Sequence, residues 1–309
     1  MMRAQAPVSP ESDTTLPPRW VSALWPLLLD YVALTKPRII SLLLVTALGG
    51  MFLAEQGVPS TGLILLVFLG GSLGAGGANA LNHYLDRDID QLMTRTAGRP
   101  LPGKRLDPRN AMLFGVALNA LAFIVLGVWV NLLAAGLTVG ATLFYVLIYT
   151  SWLKRTTTQN IVIGGAAGAV PPVVGWAAVT GGLDLPALYL FAIVFFWTPP
   201  HFWALSMLIR SDYAQAGIPM LPVVVGDRDT ARSIMLHSLT LVALTLLFFT
   251  VEQLGWVYLS GALGLGAAFL YGAWRVLRIG ARIDVLRLYL YSLLYLAILF
   301  LFIMVDSAA

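Results

Sequence analysis

Residues 62–90 read GLILLVFLGGSLGAGGANALNHYLDRDID. Residues 62–84 contain no Asp, Glu, Lys or Arg. About 20 mostly apolar residues in a helix cross the hydrocarbon core of a bilayer. The apolar run is continuous and lacks the period-two alternation of a barrel strand. It therefore predicts a transmembrane helix. Its end is abruptly polar: Asn82, Asp86, Asp88 and Asp90 follow within nine residues.

The rest of the chain repeats this pattern. Of 309 residues, 59% are hydrophobic and 11% charged, against about 25% charged in soluble domains. Mean hydropathy is +0.83. A soluble globular enzyme, a disordered chain and a coiled coil are excluded, because none could hide so much apolar surface. There are no cysteines, which excludes disulfides, thiol catalysis and thiolate-bound metals. Nine spans are expected, near 38–55, 62–84, 110–130, 132–152, 160–180, 186–208, 232–252, 254–274 and 285–305. The expected fold is an all-α polytopic membrane protein, with a tail at 1–37 and one transmembrane domain at 38–309.

Charge placement predicts orientation. All 19 Lys and Arg residues fall before span one or after spans two, four, six and eight. Positive residues collect in cytoplasmic loops. The N-terminus is thus expected in the cytoplasm and the C-terminus outside, which requires an odd number of spans. The first 30 or so residues lack the apolar core of a signal peptide. They read as a flexible tail, with a short interfacial helix around Trp20–Asp30. Trp129, Trp152, Trp176, Trp256 and Trp274 read as an interface belt, and the short tail favours a bacterial inner membrane.

The chemistry is expected at the polar end of span two. Asn82, Asp86 and Asp90 are spaced by four, so on a helix they share one face with a drift of about 80°. Asp88 points elsewhere. Such an oxygen-rich stripe suits a hard divalent cation such as Mg2+, which takes oxygen ligands and substrate phosphates. Arg95, Arg99 and other basic residues just downstream suit an anion. A metal-bridged phosphate explains both sets together; a solvated, salt-bridged loop is the plainer alternative.

The stripe resembles the first aspartate motif, Asn-x-x-x-Asp-x-x-x-Asp, of the UbiA superfamily of intramembrane prenyltransferases. The likeness runs through nearly the whole chain: Thr35-Lys36-Pro37-Arg38, Arg95-Thr96, Arg99-Pro100-Leu101, Tyr149-Thr150-x-x-Leu153-Lys154-Arg155, Asn160 to Pro172, and Trp197-Thr198-Pro199-Pro200-His201-Phe202-Trp203. With the block from Asp212 to Pro222, the last two of these resemble the superfamily's heme branch. The resemblance implies nine helices around a central cavity. It implies that Asn82, Asp86 and Asp90 hold Mg2+ and the diphosphate of an isoprenoid donor, with Arg95, Arg99, Lys154 and Arg155 as diphosphate contacts. It implies farnesyl diphosphate and heme b as substrates, and a heme A synthase or terminal oxidase assembly as protein partner; nucleic acid is not expected. Asp212 marks the second-motif loop, but Ala216 stands where a second Asp would be, so that motif is degenerate. Asp227 and Asp229 read as surface residues.

His201, His83, Tyr149 and Trp203 are heme or cavity candidates. Each has a plainer reading. His201 follows an expected helix break at Pro199-Pro200 and would bond freed carbonyls. His83 lies about 100° from Asn82 and would face away. Tyr149 would sit at the interface. His237 lacks a local partner. Gly164 and Gly168 read as a close-packing face. A UbiA-type enzyme with a quinone-precursor or chlorophyll-type acceptor is the nearest rival. A secondary transporter is the rival of another class, disfavoured because the polar groups sit at span ends rather than at the midplane.

Overall fold

The computed structural model describes residues 19–251 and 254–309. The expected tail before Arg19 lies outside them, as does Glu252. Among the described residues there is no strand, and nine helical segments are long and apolar enough to cross a membrane. The protein is an integral membrane protein.

Helix α1 (Arg19–Thr35) leads through Lys36 into α2 (Pro37–Glu55), the first span. The second span is α3 (Thr61–Leu85), continued by the short α4 (Arg87–Asp90). The third is α5 (Pro108–Trp129). The fourth combines α6 (Leu132–Leu143), a π-helix (Phe144–Leu153) and α7 (Lys154–Thr156). The fifth is α8 (Asn160–Gly168) and α9 (Val170–Thr180). The sixth, α10 (Leu185–Leu208), is followed by α11 (Arg210–Gln215) and α12 (Leu221–Val224). The last three spans are α13 (Gly226–Phe248), α14 (Trp256–Arg278) and α15 (Arg282–Ser307). Helix α3 packs on α5, α2 on α9, and α10 on α13; α15 joins α14, α10 and α2.

Glycines permit the tightest of these approaches. A side chain at Gly50 would collide with the carbonyl of Pro172, and one at Gly175 with that of Ala47. Helices α2 and α9 therefore meet backbone to backbone, as small residues allow in membranes. Asn131 joins two spans: its Oδ1 caps α6 at Ala134 N (2.8 Å) and its Nδ2 donates to Ala177 O (2.8 Å).

Four expectations are corrected. Span seven begins at Gly226, not near 232, because a charged first turn can be helical outside the apolar stretch. Span nine begins at Arg282, where buried Asp284 pairs with Arg275 (2.9 Å). Helix α10 runs unbroken through Pro199 and Pro200. Flanking helices can cover the carbonyls that such prolines free. Trp176 is buried, unlike exposed Trp129, Trp152, Trp256 and Trp274.

Candidate active site

The stripe survives folding. Asp86 N donates to Asn82 O (2.9 Å) and Asp90 N to Asp86 O (2.8 Å), so the helical spacing continues past the end of α3. Asn82, Asp86 and Asp90 are 4%, 1% and 2% exposed, whereas the Asp88 side chain is 59% exposed. Burying a carboxylate is costly without a partner, and cations from other segments supply one. Lys154 Nζ lies 2.5 Å from Asp86 Oδ2. Arg99 Nη1 lies 2.7 Å from Asp90 Oδ2. Asn82 Nδ2 donates to Asp86 Oδ2 (2.7 Å) and to Thr150 Oγ1 (3.2 Å), while Asn82 Oδ1 accepts from Lys36 Nζ (2.9 Å).

Lys36 is a site residue that sequence reasoning did not single out; it was counted among the topology charges and quoted in the Thr35-Lys36-Pro37-Arg38 block. Desolvation first, then Arg99 and Lys154, bring its pKa down to about 7. Thr150 was missed as well, as were Tyr145 and Tyr213, both within electrostatic reach of Asp86. The signal for Lys36 was a Lys-Pro pair opening a span. Thr150 lies in the π-helix and Lys154, an expected residue, directly follows it; both reach the stripe.

The other expected residues divide. Arg155 makes two 2.7 Å bonds to Asp88. That hydrogen bonding holds the Asp88 pKa at about 2, and Arg155 Nη2 also lies 3.8 Å from Asp86 Oδ1. Arg95 has an exposed side chain, and its backbone N–H donates to Asp212 Oδ2 (3.4 Å). Asp212 thus braces the first loop. His83 is buried rather than turned outward; both ring nitrogens lack a partner among the described residues, and Lys36, Arg99 and Lys154 lie within electrostatic reach. Tyr149 stacks on Tyr145 (5.4 Å), and its ring fills the place a Gly164 side chain would take. Gly168 faces open space instead.

His201 lies between Trp197 (4.5 Å) and Tyr289 (5.0 Å), with Nδ1 2.7 Å from Ser292 Oγ. It is held by α15, not by freed carbonyls of its own helix. Trp203 packs edge-on against His237 of α13 (4.9 Å). His237 Nδ1 lies 3.0 Å from Ser233 O. Asp227 and Asp229 pair with Arg210 (3.4 Å) and Arg232 (2.7 Å) at the surface.

Among the described residues no group of three His, Cys, Asp or Glu side chains is placed to share a metal ion. The site offers two carboxylates and one amide. Among the described residues, Asp86 Oδ1 is buried without a hydrogen-bond partner. Mg2+ is commonly bound by one or two carboxylates, with waters and substrate phosphates completing its shell. The donor set fits that ion with a phosphate ligand present.

Residues 43–302 match the UbiA prenyltransferase family. The chain belongs to that family. A Roseiflexus protein named protoheme IX farnesyltransferase is 52% identical over 91% of this chain and 52% of its own length. A Gloeobacter violaceus protein of the same name is 52% identical over 90% of this chain and 92% of its own length. The chain spans about half the length of the Roseiflexus and Chloroflexus relatives. Solved structures share the fold. A digeranylgeranylglyceryl phosphate synthase matches with TM-score 0.75 and 18% identity, over 91% of this chain and 98% of that one. A UbiA homolog from Archaeoglobus fulgidus, bound to DMAPP and Mg2+, matches with TM-score 0.62 and 18% identity, over 89% and 99%.

Proposed function

We propose that this protein transfers the farnesyl group of farnesyl diphosphate to a vinyl carbon of heme b, with addition of water, to make heme O. The observation that carries the reading is the buried Asn82–Asp86–Asp90 stripe, ringed by Lys36, Arg99 and Lys154 at one end of the bundle. The half-identical relatives named for this reaction support the choice of acceptor.

Asp86 and Asp90, with Asn82 beside them, would hold Mg2+. Bound there, the ion supplies positive charge against the departing diphosphate. Arg99 and Lys154 are preorganised to do the same by hydrogen bonding, which is where electrostatic catalysis gains most. The allylic C–O bond breaks and its electron pair leaves with the diphosphate. The vinyl π pair of heme b forms the new C–C bond. Water adds to the cation left on the former vinyl group and loses a proton, giving a hydroxyethylfarnesyl side chain. The stacked rings of Tyr145 and Tyr149 offer π faces to the allylic cation. An apolar groove of about 410 Å3 is lined by Gly136, Gly140, Phe144, Ala166, Val170 and Phe191. We assign the farnesyl chain to it.

His201 is the proposed heme contact, through the ring nitrogen that Ser292 leaves free. Tyr149, His83 and Trp203 are further proposed heme or cavity residues. We place the protein in a bacterial inner membrane, with the N-terminus and the site's loops on the cytoplasmic side and the C-terminus outside. A heme A synthase or oxidase assembly would receive the product.

The test uses purified protein in nanodiscs with Mg2+, farnesyl diphosphate and heme b, with the heme followed by mass spectrometry. A mass gain of one farnesyl group plus water is expected. Consumption of the donor only with a quinone precursor would move the acceptor. No consumption by folded protein with any acceptor would end the enzyme reading in favour of transport.

A further inference from the structure

Beside the stripe, a pocket of about 360 Å3 opens between the ends of the second and fourth spans. It is lined by Leu85, Arg87, Asp88, Ser151 and Arg155, and by none of Asn82, Asp86 and Asp90. Two guanidinium groups and one carboxylate stand there, so the pocket carries one positive charge in excess.

The three charged groups are unequally engaged. Arg155 bonds both oxygens of Asp88 at 2.7 Å and donates to Leu85 O (2.9 Å). Arg87 pairs with no carboxylate among the described residues, Asp88 being taken by Arg155. Its Nη1 donates to Tyr84 O (2.6 Å), and its guanidinium lies 4.5 Å over the Tyr84 ring. These contacts fix the head group and leave its other N–H donors for a ligand. A planar guanidinium fork matches the oxygens of a phosphate. Asp88 is occupied through both oxygens, so it is not left to receive the ammonium of a zwitterionic headgroup.

The surroundings set the depth of the pocket in the bilayer. Ser151 belongs to the fourth span, and its neighbour Trp152 is 59% exposed. Exposed tryptophans at span ends sit at the level of the lipid headgroups. Leu147, four residues earlier on the same helix, is 56% exposed and meets hydrocarbon. The pocket thus has arginines at headgroup level and an apolar helix face leading away below them. We propose that it binds the headgroup phosphate of an anionic phospholipid between Arg87 and Arg155, with an acyl chain running past Leu147. Basic pockets between spans recognise anionic headgroups in this way, and a free anion would gain nothing from the apolar face.

The experiment titrates the full chain in detergent with phosphatidylglycerol or phosphatidylethanolamine and follows bound lipid by native mass spectrometry. Wild-type protein should bind phosphatidylglycerol about tenfold more tightly than phosphatidylethanolamine, the scale of one charge-assisted hydrogen bond. Arg87→Gln should remove that preference and leave phosphatidylethanolamine binding within about twofold. Arg155 is kept, because it also lies 3.8 Å from Asp86 Oδ1. Arg282→Gln, at an exposed arginine opening α15, should change either affinity by no more than about twofold. Should Arg87→Gln fail to give a normal thermal unfolding transition, Arg87→Lys, which keeps the charge without the fork, should still weaken phosphatidylglycerol binding about threefold. No preference in the wild-type protein, or equal losses in Arg87→Gln and Arg282→Gln, overturns the proposal. Inorganic phosphate that displaces phosphatidylglycerol at equal concentration assigns the pocket to a free anion and overturns the lipid reading.

Discussion

The loops after the second and sixth spans both carry acidic residues beside arginines, yet folding puts them to different uses. In the first, Asp86 and Asp90 are almost wholly buried, each against a cation brought from elsewhere. Where the second leads into α13, the side chains of Asp227 and Asp229 are 57% and 55% exposed, in surface pairs with Arg210 and Arg232. Surface pairs of that kind contribute about 1 kcal/mol or less. Asp212 lies between the two cases: half-buried, it accepts the Arg95 backbone N–H and steadies the first loop. Ala216 removes the neighbour with which it would have formed a second stripe. An Asp becomes a site when other helices deliver cations to it, and sequence spacing alone does not show that.

The comparison can be broken most directly at Asp86. Asp86→Asn should lower heme modification by about 1,000-fold, the scale of losing a preorganised charge at the reacting centre. It should also destabilise the protein by about 3 kcal/mol, because Lys154 is left buried without its partner. Product mass and thermal unfolding measure the two effects. Removing divalent cations by chelation should abolish turnover as completely, and added Mg2+ should restore it; turnover that survives chelation would remove the metal from the site.

Lys154→Met should cost about 100-fold in kcat/KM, with a raised KM for farnesyl diphosphate. Asp212→Ala loosens a brace without removing a charge from the stripe, so a loss of about tenfold or less is expected in the same assay. Asp227→Asn should leave kcat/KM within about twofold and stability within about 0.5 kcal/mol. A larger effect of Asp227→Asn than of Asp212→Ala would reverse the ranking of these two aspartates.

Much of this was legible beforehand because it is local. A run such as 62–84 needs a membrane whatever surrounds it, and the four-residue spacing of Asn82, Asp86 and Asp90 places them on one helix face by geometry alone. The exposure of Asp88 followed from the same geometry. The errors were long-range. Pro199-Pro200 read as a break because a helix considered alone loses hydrogen bonds there, whereas α10 runs on unbroken between α13 and α15. His83 was placed outward from its angle to Asn82, but the helices around that end of α3 enclose it.

The residues of this chain by themselves determined that nine of its described helices are long and apolar enough to cross a membrane, and where its oxygen-rich stripe lies. Hydropathy and helical periodicity are properties of neighbours in sequence. Only the tertiary structure decided which cation answers which carboxylate. Lys36 reaches Asn82 across 46 residues and Lys154 reaches Asp86 across 68. A buried charge is compensated by what lies within a few ångströms of it, and packing, not spacing along the chain, brings those groups there.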